Sequence, residues 1–326
     1  MKMLFASFLF LRSIMPACAD DSAEAQALLQ KIQLASQKVS YAGIFVFQHD
    51  NQLMSSRIIH RYEAGDEKEK IEKLDGRRRE YVRHNDDVIS YQPDTRTLRA
   101  EKRETQDMFP AVLAFSSPNL SEHYQFRLAE HARVAGVECR LIVIDPRDAF
   151  RYGYRLCAAI PSNLMVLAQT VDSNRQVLEQ IAFTSLNIGP VDESVLNSDF
   201  PETNGWTTVR SDVVAATESG WTVKKMPAGF KKIREVRRLI NNHVDTPVNN
   251  RSTDLHEVLQ MVFSDGLATI SVFIEPFDLN RRAGIIQKGS TTIVGYQLGK
   301  FWVTLVGEVP VAAIKLLSDS IEYKSK

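Results

Sequence analysis

Between residues 40 and 102 the chain runs through six short strand-like stretches with only tight turns between them, and no other feature limits its fold as strongly. The stretches are 41–48, 54–62, 67–74, 80–83, 87–92 and 97–102. The connections carry Asp50-Asn51, Ala64-Gly65-Asp66, Asp75-Gly76, Asn85-Asp86-Asp87 and Pro93-Asp94. These are turn residues, chosen for positive φ or for side chains that bond their own backbone. Parallel neighbours would need crossovers of about a dozen residues. None fits here, so the segment predicts an antiparallel meander.

A helix is predicted ahead of the meander, where Ala25, Leu28, Leu29, Ile32, Ala35 and Val39 recur at helical spacing. An apolar break at 105–120 follows it, and strands resume at 124–130, 137–144, 152–159, 165–172 and 177–187. From Gly189 the periodicity fades into a cluster of Pro, Asn, Ser, Thr and Gly. Beyond it come a strand near Trp221, a basic stretch, a hairpin turning at Ser264-Asp265-Gly266, two further strands, and a last helix opening near Pro310 with Val311, Ile314, Leu317, Ser318 and Ile321 on its buried stripe. The fold class expected is α+β, mainly antiparallel β: a large unclosed β-barrel with capping helices in residues 20–200, a linker at 201–220, and a smaller α+β domain in 221–326. A chain of 326 residues is long enough to split its core in this way.

Lys2 and Arg12 flank an apolar stretch ending in Ala17-Cys18-Ala19, the pattern of a secretory signal peptide over residues 1–19. Pro16 argues against reading Cys18 as a lipidated residue. Lys plus Arg and Asp plus Glu number 40 each, so no global charge favours nucleic acid, and an electrostatic partner must meet a local patch. Cys139 and Cys157 lie either side of a hairpin whose midpoint, read from the cysteines, is Asp148. Facing residues of such a hairpin come within disulfide range. A one-residue slip would instead leave two buried thiols on opposite faces.

Nucleophile-elbow, phosphate-loop, zinc-helix and dinucleotide motifs are absent, and the seven histidines stand singly, so no enzyme, cofactor or metal is expected. Two features point to binding. The basic run Lys224, Lys225, Lys231, Lys232, Arg234, Arg237 and Arg238, with Phe230 among its apolar residues, could hold an acidic partner or could be an ordinary solvated face. The aromatic residues Phe45, Phe47 and Tyr91, with Phe109 and Phe115 in the apolar break, could line an acyl-chain pocket or simply fill the core. Arg77, Arg78 and Arg79 belong at a rim.

Several longer strings carry a resemblance. Tyr41-Ala-Gly-Ile-Phe-Val-Phe-Gln-His49, Arg57-Ile-Ile-His-Arg61, Arg151-Tyr-Gly-Tyr-Arg-Leu156, Ser264-Asp-Gly-Leu-Ala268, Ser271-Val-Phe-Ile-Glu275 and Val306-Gly-Glu-Val-Pro310 are similar, in this order, to strings of the MucB/RseB family of sigma-E regulators. The resemblance implies a periplasmic negative regulator that binds the periplasmic domain of an inner-membrane anti-sigma factor of the RseA/MucA type and shields it from regulated proteolysis. It also implies an N-terminal domain similar to LolA-type carriers, and release by lipopolysaccharide or lipoprotein acyl chains. Self-association is left open. The competing expectation is a periplasmic lipid or lipoprotein carrier, which would have little need of the second domain.

Overall fold

The computed structural model describes residues 18–102, 119–210, 213–215, 219–241 and 255–324. The signal-peptide expectation falls chiefly outside them, as do Phe109 and Phe115 of the expected pocket.

Helix α1 (Cys18–Lys38) leads into β1 (Tyr41–His49), β2 (Gln52–Glu63), β3 (Asp66–Lys73), β4 (Glu80–His84), β5 (Asp87–Gln92) and β6 (Thr97–Lys102). After a single helical turn, α2 (Leu120–His123), come β7 (Tyr124–Val134), β8 (Val137–Pro146), β9 (Gly153–Ala159), β10 (Met165–Val171), β11 (Val177–Ile188) and β12 (Thr207–Arg210). Their order in one sheet is β12-β6-β5-β4-β3-β2-β1-β11-β10-β9-β8-β7. All neighbours are antiparallel except β12 and β6. The two ends of the sheet do not pair, so the barrel stays unclosed.

The apolar stripe of α1 explains its seat. Ala25, Leu28, Leu29 and Ile32 bury against Phe126, Ile142, Ile144, Tyr154, Leu156 and Met165. Each large aliphatic side chain removed from water there contributes about 2 kcal/mol. A second cluster joins Tyr41, Phe45, Ile58 and Phe183 to Cys139 and Cys157. The two cysteines form a disulfide with Cα atoms 5.5 Å apart. The hairpin is centred one residue later than Asp148, since Leu141 faces Cys157 and Cys139 faces Ala159. The cysteines are therefore diagonal neighbours. An offset of two residues keeps both side chains on one face, which is why the bond still forms.

The remaining chain supplies β13 (Val213–Ala215), β14 (Trp221–Val223), β15 (Lys231–Asn241), β16 (Leu255–Ser264), β17 (Thr269–Pro276), β18 (Gly284–Lys288), β19 (Thr291–Leu298), β20 (Phe301–Gly307), α3 (Val311–Ser318) and β21 (Ile321–Tyr323). Seven strands form a second sheet in the order β13-β15-β16-β17-β20-β19-β18. Ile314 and Leu317 of α3 pack with Met261, Phe263, Ile270, Val272, Val303 and Leu305 in its core. Ile321 does not continue the stripe of α3 as its spacing suggests. The helix stops at Ser318, and Ile321 opens a strand that pairs with Val223 of β14.

The stretch that leads into the region read as a linker is strapped to the first sheet. Lys70 Nζ lies 2.5 Å from Asp199 Oδ1 and 2.8 Å from the Asn197 carbonyl, and the Asp199 amide donates to the buried Glu80. Phe200 lies beneath Arg78 and stacks on Tyr91. Thr207–Arg210 then adds to β6 of the first sheet and Val213–Ala215 to β15 of the second.

Candidate functional site

The basic run is split by its surroundings. Lys224 and Lys225 sit in the loop after β14, while Lys231, Lys232, Arg234, Arg237 and Arg238 lie on β15. Lys224 pairs with Glu322 at 2.5 Å, Lys232 with Glu235, and Arg237 with Glu257 across the ladder. Burial pulls the pKa of Arg238 below the usual arginine range. Lys225 and Lys231 are exposed and have no ion pair among the described residues. Phe230, expected as a contact residue, is 4 % exposed, part of the second core, and covered by a guanidinium.

The three described aromatic candidates do not all face one way. Phe45 is buried edge-on against Phe183, filling the core, and Phe47 stacks on His49. Tyr91 faces the other way. Its register runs through Glu80, Glu72 and Arg57 to Ile44, and residues paired across strands share a face, so Tyr91 lies opposite Phe45 and Phe47. A cleft of about 280 Å³ lies instead between α1 and the β7–β9 strands, where Leu28, Lys31, His131 and Ile160 surround the Glu24–Arg140 ion pair. Spacing in the sequence gives no signal for it, because its walls come from three separate segments.

A fully buried ion pair joins the two sheets. Arg151, between β8 and β9, donates from Nε to Asp265 Oδ2 at 2.7 Å, and both side chains are fully buried. Tyr124 donates its hydroxyl to the same oxygen at 3.0 Å; burial holds its pKa well above the ordinary value, so it remains a donor. The other carboxylate oxygen of Asp265 accepts the amides of Leu267 and Ala268, which fixes the β16–β17 turn. Arg151 also bonds Asp148 and the Ala228 carbonyl, and its guanidinium lies 5.5 Å from the rings of Tyr124 and Phe230. Burial opposes its charge, but the hydrogen bond and charge of Asp265 outweigh that and hold its pKa above the usual value.

Apolar contacts close around this clasp. Leu267 of the second sheet is buried in the cluster of α1, while Phe150 of the first packs on the core of the second. At Gly229, φ is +86° and a Cβ would stand 2.3 Å from the His123 ring, so only glycine fits the close approach. A further edge of the junction has Gly289 donating to Asp50 and Gln287 to the Tyr152 hydroxyl. Nearby, crowding by protein and then the charge of Glu179 raise the pKa of Glu308 to about 7, although part of its surface reaches water. Glu179 itself faces His49 Nδ1 at 3.3 Å.

Nothing in this arrangement resembles a catalytic constellation, and no group of metal-ligating side chains occurs among the described residues. No helix of the described residues is long and apolar enough to cross a membrane.

Comparison with known proteins fits the two-sheet layout. The family model of the MucB/RseB N-terminal domain matches residues 24–204, and that of the MucB/RseB C-terminal domain matches residues 215–322. The sigma factor AlgU regulatory protein MucB of Pseudomonas aeruginosa is 29% identical, covering 96% of this chain and 95% of its own. The sigma-E factor regulatory protein RseB of Escherichia coli is 24% identical over 91% of this chain and 90% of its own. Among solved structures, the Pseudomonas aeruginosa MucA/MucB complex superposes with a TM-score of 0.71 at 27% identity, covering 93% of this chain and all of the matched one. A crystal structure of MucB gives 0.65 at 25% identity, covering 93% of this chain and 99% of the matched one. With both domains matched in order and nearly end to end, the chain belongs to the MucB/RseB family.

Proposed function

We propose that this protein is a periplasmic negative regulator of the envelope stress response, which binds the periplasmic segment of an anti-sigma factor and shields it from proteolysis. The observation that carries this reading is the extent of the match to the MucA/MucB complex, over 93% of this chain. A junction built on a buried ion pair and reciprocal apolar contacts suits a binding protein that must present two sheets in one arrangement. The exposed Lys225 and Lys231 are the part of the basic run free to attract an acidic segment. Residues 20–200 act as the lipid-sensing domain and 221–326 as the anti-sigma-binding domain in this reading.

Lipopolysaccharide or lipoprotein acyl chains act by linkage. If lipid favours an arrangement that the anti-sigma segment does not, each weakens the other by the same factor, a coupling of about 1–3 kcal/mol. Limited trypsin digestion of the segment, alone, with the protein, and with protein plus lipopolysaccharide, tests both parts. Protection that lipid removes supports the regulator. A segment cut equally fast with and without the protein overturns shielding. Lipid binding without any effect on the segment favours a carrier.

A further inference from the structure

The second sheet ends in a strand unlike its others. All five residues of β18 are exposed, and β18 pairs only with β19 among the described residues. Its side chains include Ile285 and Ile286, 47% and 64% exposed, and Leu279 in the approach to it is 88% exposed. An apolar edge strand left open invites another strand unless charge or a bulge protects it. The edge of the first sheet at β7 is packed by α1, and the opposite edge at β12 lacks such an apolar pair.

The backbone of β18 is set for strand addition. The two-residue turn Gly289-Ser290 makes Lys288 and Thr291 a hydrogen-bonded pair, and alternation then bonds Ile286 to Ile293. Ile285 and Gln287 consequently turn their amides and carbonyls outward. At the turn the hairpin is fixed to the first sheet through Gly289 and Asp50, so this edge is held in place. Arg282 and Lys288 stand exposed at its two ends without an ion pair among the described residues, whereas Arg281 is taken up by Glu275 at 2.8 Å.

We propose that the outer edge of β18 receives an extended, apolar segment with acidic flanks as an added strand, and that this segment belongs to the anti-sigma factor. Backbone bonds supply affinity, Ile285 and Ile286 the apolar contact, and Arg282 and Lys288 the charge complement. The inference rests on the regulatory reading above and gives it a place on the surface.

Ile285→Pro is the discriminating variant. Proline removes an outward amide that β19 does not use, and is tolerated at a strand edge for that reason. A dye-labelled peptide of the cognate anti-sigma periplasmic segment is titrated with the full mature protein and followed by fluorescence anisotropy. Binding is expected to weaken about tenfold, as one unmade backbone bond implies, with the thermal melt unchanged. Arg282→Glu/Lys288→Glu, which leaves the ladder alone, should also weaken binding and decides the matter if Ile285→Pro lowers the melt. Undiminished binding by a folded Ile285→Pro protein, or by the charge variant where that one decides, overturns the edge and leaves the regulator standing. Failure of the wild-type protein to bind overturns both. A wild-type dimer that Ile285→Pro converts to monomer, with peptide affinity intact, assigns the edge to a second copy and overturns the proposal.

Discussion

Asp265→Asn is the sharpest perturbation of the junction. The change is nearly isosteric, yet it removes the charge facing Arg151 and turns an amide donor toward two existing donors, the Arg151 Nε–H and the Tyr124 hydroxyl. Both members of the ion pair are fully buried, so water cannot replace the lost partner. Removing one member of such a pair costs about 3–5 kcal/mol. Arg151 keeps Asp148 and the Ala228 carbonyl, which places the expected loss near the lower end, about 3 kcal/mol. Urea unfolding followed by tryptophan fluorescence reads it directly, since Trp221 lies in the second core. The double change Arg151→Met/Asp265→Leu removes both charges and should lose less than the sum of the single changes. A loss under about 1 kcal/mol for Asp265→Asn, or strict additivity in the double variant, would refute the clasp as an energetic unit.

Three other outcomes follow from the same structure. Reduction of Cys139–Cys157, which closes a separation of 18 residues, should lower stability by about 3 kcal/mol, measured by urea unfolding with and without reductant. Glu308 binds its proton more tightly folded than unfolded, so its contribution to stability is greatest below its unfolded value near 4.5 and declines as pH rises to about 7. Melting temperatures of wild type and Glu308→Gln across pH 4.5–7.5 should diverge with that sign, and parallel curves would contradict it. Lys225→Glu/Lys231→Glu should weaken binding of the anti-sigma segment chiefly at low salt, and an effect independent of ionic strength would argue against charge attraction at that face.

The meander was legible because its turns announce themselves. Ala64-Gly65 and Asn85-Asp86 lie where the strands reverse, with positive φ at Ala64, Gly65 and Asn85. Strand β18 gave no such sign, since every residue is exposed and its apolar pair does not alternate with polar neighbours. Ile321 kept a helical spacing from Leu317, but spacing carries no information about where the helix hydrogen bonds stop. How the pocket candidates face was not legible either. Aromatic composition says nothing about facing, and Tyr91 differs from Phe45 by a register traced through four strand pairings. Arg151 and Asp265 lie 114 residues apart, so their pairing depends on how the two sheets meet. Even so, both strings that hold them, Arg151–Leu156 and Ser264–Ala268, stand out in the sequence as segments similar to the family, and the junction gives that similarity a physical reason.

The central claim, that this chain binds an anti-sigma segment, is tested most directly by calorimetric titration of the mature protein with the periplasmic segment of its cognate anti-sigma factor. Saturable heat at one segment per protein, with affinity reduced by added lipopolysaccharide, is the predicted result. No binding heat at any temperature across a range wide enough to avoid a vanishing enthalpy would contradict the claim.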